Sequence, residues 1–150
     1  MIPNFLKELL TKEYSEEQVN EILKSYEEDK VVSLRINTIK TTTEEIIKYL
    51  EEQNITYETI TWSDTALVIT NKTENELQEL DIYKEGKIYL QSLSSQLPPI
   101  FLNPKENEMI LDMTAAPGGK TTEIAALSNN KAMITAIEKN KIRSERLQYN

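Results

Sequence analysis

The chain has 150 residues, 39% of them hydrophobic and 28% charged, with a net charge of −8. That length suits one ordinary domain or two small ones, and the composition is that of a globular chain. With no cysteine and no histidine, disulfides, thiolate metal sites and an imidazole general base are all excluded.

Charge is unevenly spread. Residues 1–90 hold 10 basic against 19 acidic side chains, whereas residues 91–150 hold 7 against 6. A net −9 in the first part argues against broad phosphate binding, which needs a basic face. The N-terminus carries acid early and leads into no long apolar run. No signal peptide and no membrane span are therefore expected, and the expected location is cytoplasmic. Asn54-Ile55-Thr56 and Asn71-Lys72-Thr73 match the glycosylation pattern, which without a secretion signal is read as chance.

In chain order, Pro3 opens a short helix with Phe5, Leu6, Leu9 and Leu10 on one face. Ser15 and Gln18 have capping-box spacing before a second stripe, Val19, Ile22, Leu23 and Tyr26. The acids Glu27-Glu28-Asp29 oppose the helix dipole and are expected to close that segment. Val32, Leu34 and Ile36 alternate with Ser33, Arg35 and Asn37, predicting a strand with one buried and one mostly polar face. Thr41 with Glu44, or Thr42 with Glu45, caps a helix carrying Ile46, Ile47 and Leu50. Two β-rich stretches, 56–62 and 66–70, are expected to join at Ser63-Asp64, with Trp62 in the core. A helix over 74–80 and an extended segment over 86–90 complete an α+β pattern.

Residues 92–102 predict a helix or turn made irregular by Pro98-Pro99. Met109-Ile110-Leu111 then reads as a short buried strand, and Ile124, Ala125 and Leu127 as one helix face. Between them runs Thr114-Ala115-Ala116-Pro117-Gly118-Gly119-Lys120. The glycines let backbone amides approach a ligand, and the helix start behind them favours a carboxylate or phosphate. Lys131 to Glu138 is a second strand ending in an acid about twenty residues past the glycines, the spacing at which a carboxylate meets ribose hydroxyls. Asn140–Asn150 starts a further helix, with Asn150 a possible end residue. These signals together indicate a nucleoside cofactor.

The dinucleotide fingerprint Gly-x-Gly-x-x-Gly is absent. Gly119-Lys120-Thr121 matches the end of a phosphate-binding loop, but Thr114 stands where its first glycine belongs, which leaves a nucleotide hydrolase as a minor reading. Asp112-Met113-Thr114-Ala115-Ala116-Pro117-Gly118-Gly119-Lys120-Thr121 resembles the S-adenosylmethionine (SAM) motif of the Sun/Fmu family of RNA cytosine carbon-5 methyltransferases, RsmF-like ribosomal RNA enzymes included. Arg35-Ile36-Asn37-Thr38-Ile39-Lys40 is similar to that family's Arg-Val-Asn-Thr-Leu-Lys segment. Residues 86–99 are similar to its Gly-x-x-Tyr-x-Gln-x-x-Ser-Ser-x-Leu-Pro segment, with Leu93 in place of a common proline.

The resemblance implies an RRM-like N-terminal domain over 1–90 and, over 91–150, the first strand-helix-strand part of a Rossmann-like methyltransferase domain, truncated at its C-terminal side. It implies SAM held by Thr114, Ala115, Ala116, Pro117, Gly118, Gly119 and Lys120, with Glu138 on the ribose. It implies RNA, ribosomal RNA in particular, as partner. Arg35 and Asn37 are the candidate RNA contacts, a phosphate or domain contact being weighed evenly against a solvated or interdomain-paired strand. No catalytic and no metal residue is assigned, because the family's cysteines lie on later strands and this chain has none. The expected function is thus the N-terminal part of such a methyltransferase. The alternative is a non-catalytic RNA-binding or scaffold module that keeps the loop as structure.

Overall fold

The computed structural model describes residues 3–26 and 31–149. The chain forms two compact units, residues 1–30 and 31–150. In the first unit, α1 (Asn4–Glu13) starts after Pro3, whose φ of −65° suits a helix entry. Tyr14 is extended and breaks the chain before α2 (Glu16–Ser25). The expected capping box forms: Ser15 Oγ accepts from the Gln18 amide at 3.3 Å, and Gln18 Oε1 from the Ser15 amide at 3.1 Å. The acids 27–29 expected to close this segment lie outside the described residues, as does Asn150.

The second unit opens with β1 (Val32–Ile36), α3 (Thr43–Glu52), β2 (Tyr57–Ile60), β3 (Ser63–Ile69), α4 (Glu74–Gln78), α5 (Asp81–Lys84) and β4 (Ile88–Leu90). The strands lie in the order β2-β3-β1-β4 with every neighbouring pair antiparallel. A β-α-β-β-α-β succession in that order is a ferredoxin-like arrangement. One face of the sheet holds the core: Leu34, Ile36, Leu67, Ile69 and Ile88 pack with Ile46 and Leu50 of α3, Leu77 of α4 and Ile82 of α5. Thr42, with Glu45, supplies the cap of α3.

Four local expectations change. The β2–β3 turn is at Thr61-Trp62, so Ser63 and Asp64 belong to β3 and Trp62 is 41% exposed at the turn instead of in the core. The helix expected over 74–80 stops at Gln78, and a separate turn of helix follows as α5. The "polar" face of β1 is also buried, because α6 (Leu93–Leu102) packs against this strand. Finally, Pro98 and Pro99 sit inside an unbroken α6. Pro99 has no N–H to offer the carbonyl of Ser95 four residues back, and Gln91 Nε2 fills that place at 3.1 Å.

Then follow β5 (Met109–Asp112), α7 (Gly119–Leu127), β6 (Met133–Ala136) and α8 (Lys141–Tyr149). β5 and β6 pair in parallel, Met109 opposite Met133 through Asp112 opposite Ala136, so β5-α7-β6 is one parallel crossover unit. Two strands cannot cover their own faces, so the strand expected to be buried at Met109-Ile110-Leu111 is instead open, Met109 83% and Leu111 55% exposed.

Candidate cofactor site

Past Asp112 the parallel ladder continues for one more exchange. The Ile137 amide donates to Asp112 O at 2.8 Å and the Ala115 amide to Ile137 O at 3.0 Å. The chain therefore leaves β5 still tied to the end of β6, and Ala115 and Ala116 are buried there. The Ala116–Pro117 peptide is cis. Gly118 then adopts φ +117°, a value that a side chain would strain, and forms the N-cap of α7. The first-turn amides of a helix have no acceptor within it, so those of Gly119, Lys120 and Thr121 form the donor end of α7.

Asp112 braces this turn from the strand side. One carboxylate oxygen accepts from the Thr114 amide at 3.2 Å and the other from Thr121 Oγ1 at 2.7 Å. From the sheet side comes the segment after β4. A Cβ on Gly119 would stand 3.3 Å from Gln91 Cδ and from Tyr89 Cε1, so a glycine is what lets α7 approach this closely. Between the two segments opens a cleft of ≈ 230 Å³, lined by Gln91, Ser92 and Ser95 on one side and Thr114 to Pro117, Gly119 and Lys120 on the other. Six of the seven expected loop residues thus share one cavity; Gly118 is buried beneath it.

Glu138 does not line that cleft. Its carboxylate, 7% exposed, accepts from the Asn140 amide at 2.8 Å and lies 3.7 Å from Arg143 Nη1. Arg143 Nη2 in turn donates to Ala116 O at 2.6 Å. The acid is thereby tied to the loop through one arginine of α8.

Arg35 and Asn37 both line a larger groove of ≈ 920 Å³, which Lys40, Lys84 and Arg146 share with Glu74 and Glu145. Both are hydrogen-bonded within the protein. Asn37 Nδ2 donates to Gly86 O at 2.9 Å, and its Oδ1 accepts from the Ile39 amide. Arg35 is 2% exposed. Its Nη2 donates to Thr122 Oγ1 at 2.9 Å, its Nε to Gln91 Oε1 at 3.3 Å, and Nε lies 3.7 Å from Glu123 Oε2. Arg35 is therefore paired inside the protein. Burial of the sheet's second face is the reason.

Two polar residues central to this network carry no role in the motif reading. Gln91 bonds Arg35, Ser95 and, through Nε2 at 3.0 Å, Glu123. Glu123 is 3% exposed on α7, and burial pushes its carboxyl up to about 7 while Arg35 and Gln91 pull the other way. The one hint in the sequence is an acid standing directly beside the apolar run Ile124-Ala125-Ala126-Leu127.

Among the described residues no helix is long and apolar enough to cross a membrane, and no group of acidic residues could hold a metal ion. Comparison with known proteins matches residues 2–76 to the RsmF/B-like ferredoxin-like domain and residues 99–150 to the 16S rRNA methyltransferase RsmB/F family. The 25S rRNA (cytosine-C(5))-methyltransferase nop2 of Schizosaccharomyces pombe is 36% identical over 97% of this chain and 24% of its own length. Ribosomal RNA small subunit methyltransferase F of Shewanella sp. (strain ANA-3) is 35% identical over 71% of this chain and 22% of its own. The chain thus spans about a quarter of the length of these curated relatives. The crystal structure of PH0851 superposes with a TM-score of 0.82 at 33% identity, covering 98% of this chain and 33% of that one. With one family model on each side of the β4–α6 segment, the chain belongs to the RsmB/F methyltransferase family.

Proposed function

We propose that this chain is the N-terminal part of a SAM-dependent RNA cytosine carbon-5 methyltransferase that acts on ribosomal RNA, with the cytoplasm as its compartment. In this reading residues 1–90 form an RRM-like domain and residues 91–150 begin a Rossmann-like methyltransferase domain. The observation that carries it is the cleft between the 91–95 segment and the glycine turn, roofed by the donor end of α7. The family consists of SAM-dependent methyltransferases. Residues 114–120 would hold the amino-acid end of the cofactor, whose carboxylate suits first-turn amides and a positive helix end. Glu138 would take the ribose diol, once Arg143 yields or shares its carboxylate. The bound group supplies an electrophilic methyl.

The 150 residues contribute no thiol, so nucleophilic addition to the base must come from residues outside them. What this chain contributes is cofactor placement. The groove bearing Lys40, Lys84 and Arg146 is the candidate RNA surface, with Arg35 and Asn37 shaping its floor from within. Calorimetric titration of the 150-residue chain with S-adenosylhomocysteine tests the cofactor reading. Saturable 1:1 binding is expected, lost in Gly119→Val because a branched side chain meets Gln91 and Tyr89. A folded chain that gives no heat would leave the loop as structure only.

A further inference from the structure

The network joining β1 to α7 has a consequence for the glycine turn. Arg35 lies on the face of β1 opposite the hydrophobic core, and its guanidinium ends on the first turn of α7. Nη2 donates to Thr122 Oγ1 at 2.9 Å and faces Gly119 O at 3.5 Å. Thr122 Oγ1 is itself bonded to Gly118 O at 2.8 Å, so the arginine, the threonine and both glycine carbonyls form one connected set. Gln91 holds the guanidinium from the other side, through Oε1 to Arg35 Nε, while Ser33 Oγ holds the Gln91 carbonyl at 2.9 Å. The Tyr89 ring lies 5.8 Å from the guanidinium carbon and covers it. Glu123, on the second turn of the same helix, places Oε2 3.7 Å from Arg35 Nε.

A buried arginine with a single ion-pair partner is costly to desolvate and is a poor device for stability alone. Its planar donors are, however, well suited to hold two elements at a set angle and spacing. The residue that feels this most is Gly119, where an added methyl group would stand 3.3 Å from Gln91 and Tyr89 and fit only if they moved aside. The carbonyls that Arg35 and Thr122 hold are those of the turn residues Gly118 and Gly119.

From this geometry we infer that Arg35 is a positioning residue for the glycine turn: acting through Thr122 and Gln91, it holds the donor end of α7 in the geometry that receives the cofactor's carboxylate. The inference rests on the cofactor reading above for the identity of the ligand, but the ordering of the turn by Arg35 does not. Binding at the loop is then coupled to the four-stranded sheet, because the same guanidinium belongs to both.

Hydrogen exchange and calorimetry on the full 150-residue chain separate these statements. In Arg35→Met, the Thr122 amide, bonded to the turn carbonyl Gly118 O at 2.8 Å, is expected to exchange about tenfold faster, the loss of one charge-assisted hydrogen bond, while the β1–β3 ladder stays protected. S-adenosylhomocysteine binding is expected to weaken by about the same factor. Arg35→Lys should restore part of both, since an ammonium reaches Thr122 or Gln91 but not both. If Arg35→Met fails to fold, Thr122→Val, which removes the acceptor on α7, gives the same readouts. Unchanged turn exchange in the folded variants would overturn the inference, whatever the wild type binds. Faster turn exchange in a chain that binds no S-adenosylhomocysteine would uphold the positioning role and remove the cofactor reading instead.

Discussion

The four-stranded sheet and the β5–β6 pair are built from similar strand lengths and similar apolar residues, yet they meet water differently. In the first, Leu34 and Ile36 of β1 and Leu67 and Ile69 of β3 pack in one cluster with residues of α3, α4 and α5, and the core is closed within about sixty residues. In the second, one helix, α7, serves two strands, and Met109, Leu111 and Met133 remain more than half exposed. An antiparallel sheet can leave one face wet, whereas a parallel pair is built for cover on both. The ferredoxin-like part therefore carries the closed core, and the crossover part carries the glycine turn proposed to receive the cofactor.

The largest test of that contrast is Leu34→Ala against Leu111→Ala. Leu34 is fully buried, so its truncation should cost about 3 kcal/mol in denaturant unfolding. Leu111→Ala should stay within about 0.5 kcal/mol, as expected of an exposed site. Equal costs would mean that β5 is covered in solution, and sedimentation would then show self-association.

A pH series probes the seam between the regions. Burial raises Glu123 from 4.5 to about 7, so the folded chain binds this proton more tightly than the unfolded one. Its contribution is complete below about pH 4.5 and fades as pH rises through about 7. Between those limits the wild type should lose on the order of 1–3 kcal/mol relative to Glu123→Gln, whose curve should be flat there. A parallel pair of curves would show that the carboxylate is already ionised and matched to Arg35. Glu76, held down to about 2 by Lys72 and by the Thr73 amide and hydroxyl, acts in a separate window below pH 4.5, where its protonation weakens the cap of α4.

Smaller still is Thr42→Ala, which removes the capping oxygen of α3 and should cost about 1 kcal/mol. The smallest is Trp62→Ala at the β2–β3 turn, expected to change stability by less than about 0.5 kcal/mol. A large loss there would place the indole against a surface that the isolated turn does not have.

Local rules account for much of what was legible. Ser15-Gln18 and Thr42-Glu45 announce helix starts because a cap needs only residues three apart. The turn at 117–119 is equally self-contained, since Gly118 alone accepts its φ. Trp62 and Ser63-Asp64 were misjudged because β propensity says where a strand is favoured, not where a hairpin folds back. Pro98-Pro99 suggested irregularity, but Gln91, in the connection just before α6, supplied the missing donor to Ser95 O.

The sequence by itself determined the caps, the strand periodicities, the glycine turn and the motif that places the chain in its family, all of which depend on neighbours within a few residues. Only the tertiary structure decided what lies on the second face of β1. Packing α6 and α7 there turns Arg35 from a candidate RNA contact into a buried donor on Thr122, draws Gln91 and Glu123 into one network, and ties Glu138 to the loop through Arg143. Arg35 and Thr122, Gln91 and Glu123, and Arg143 and Ala116 stand 27 to 87 residues apart along the chain, and no pattern shorter than the fold brings them together.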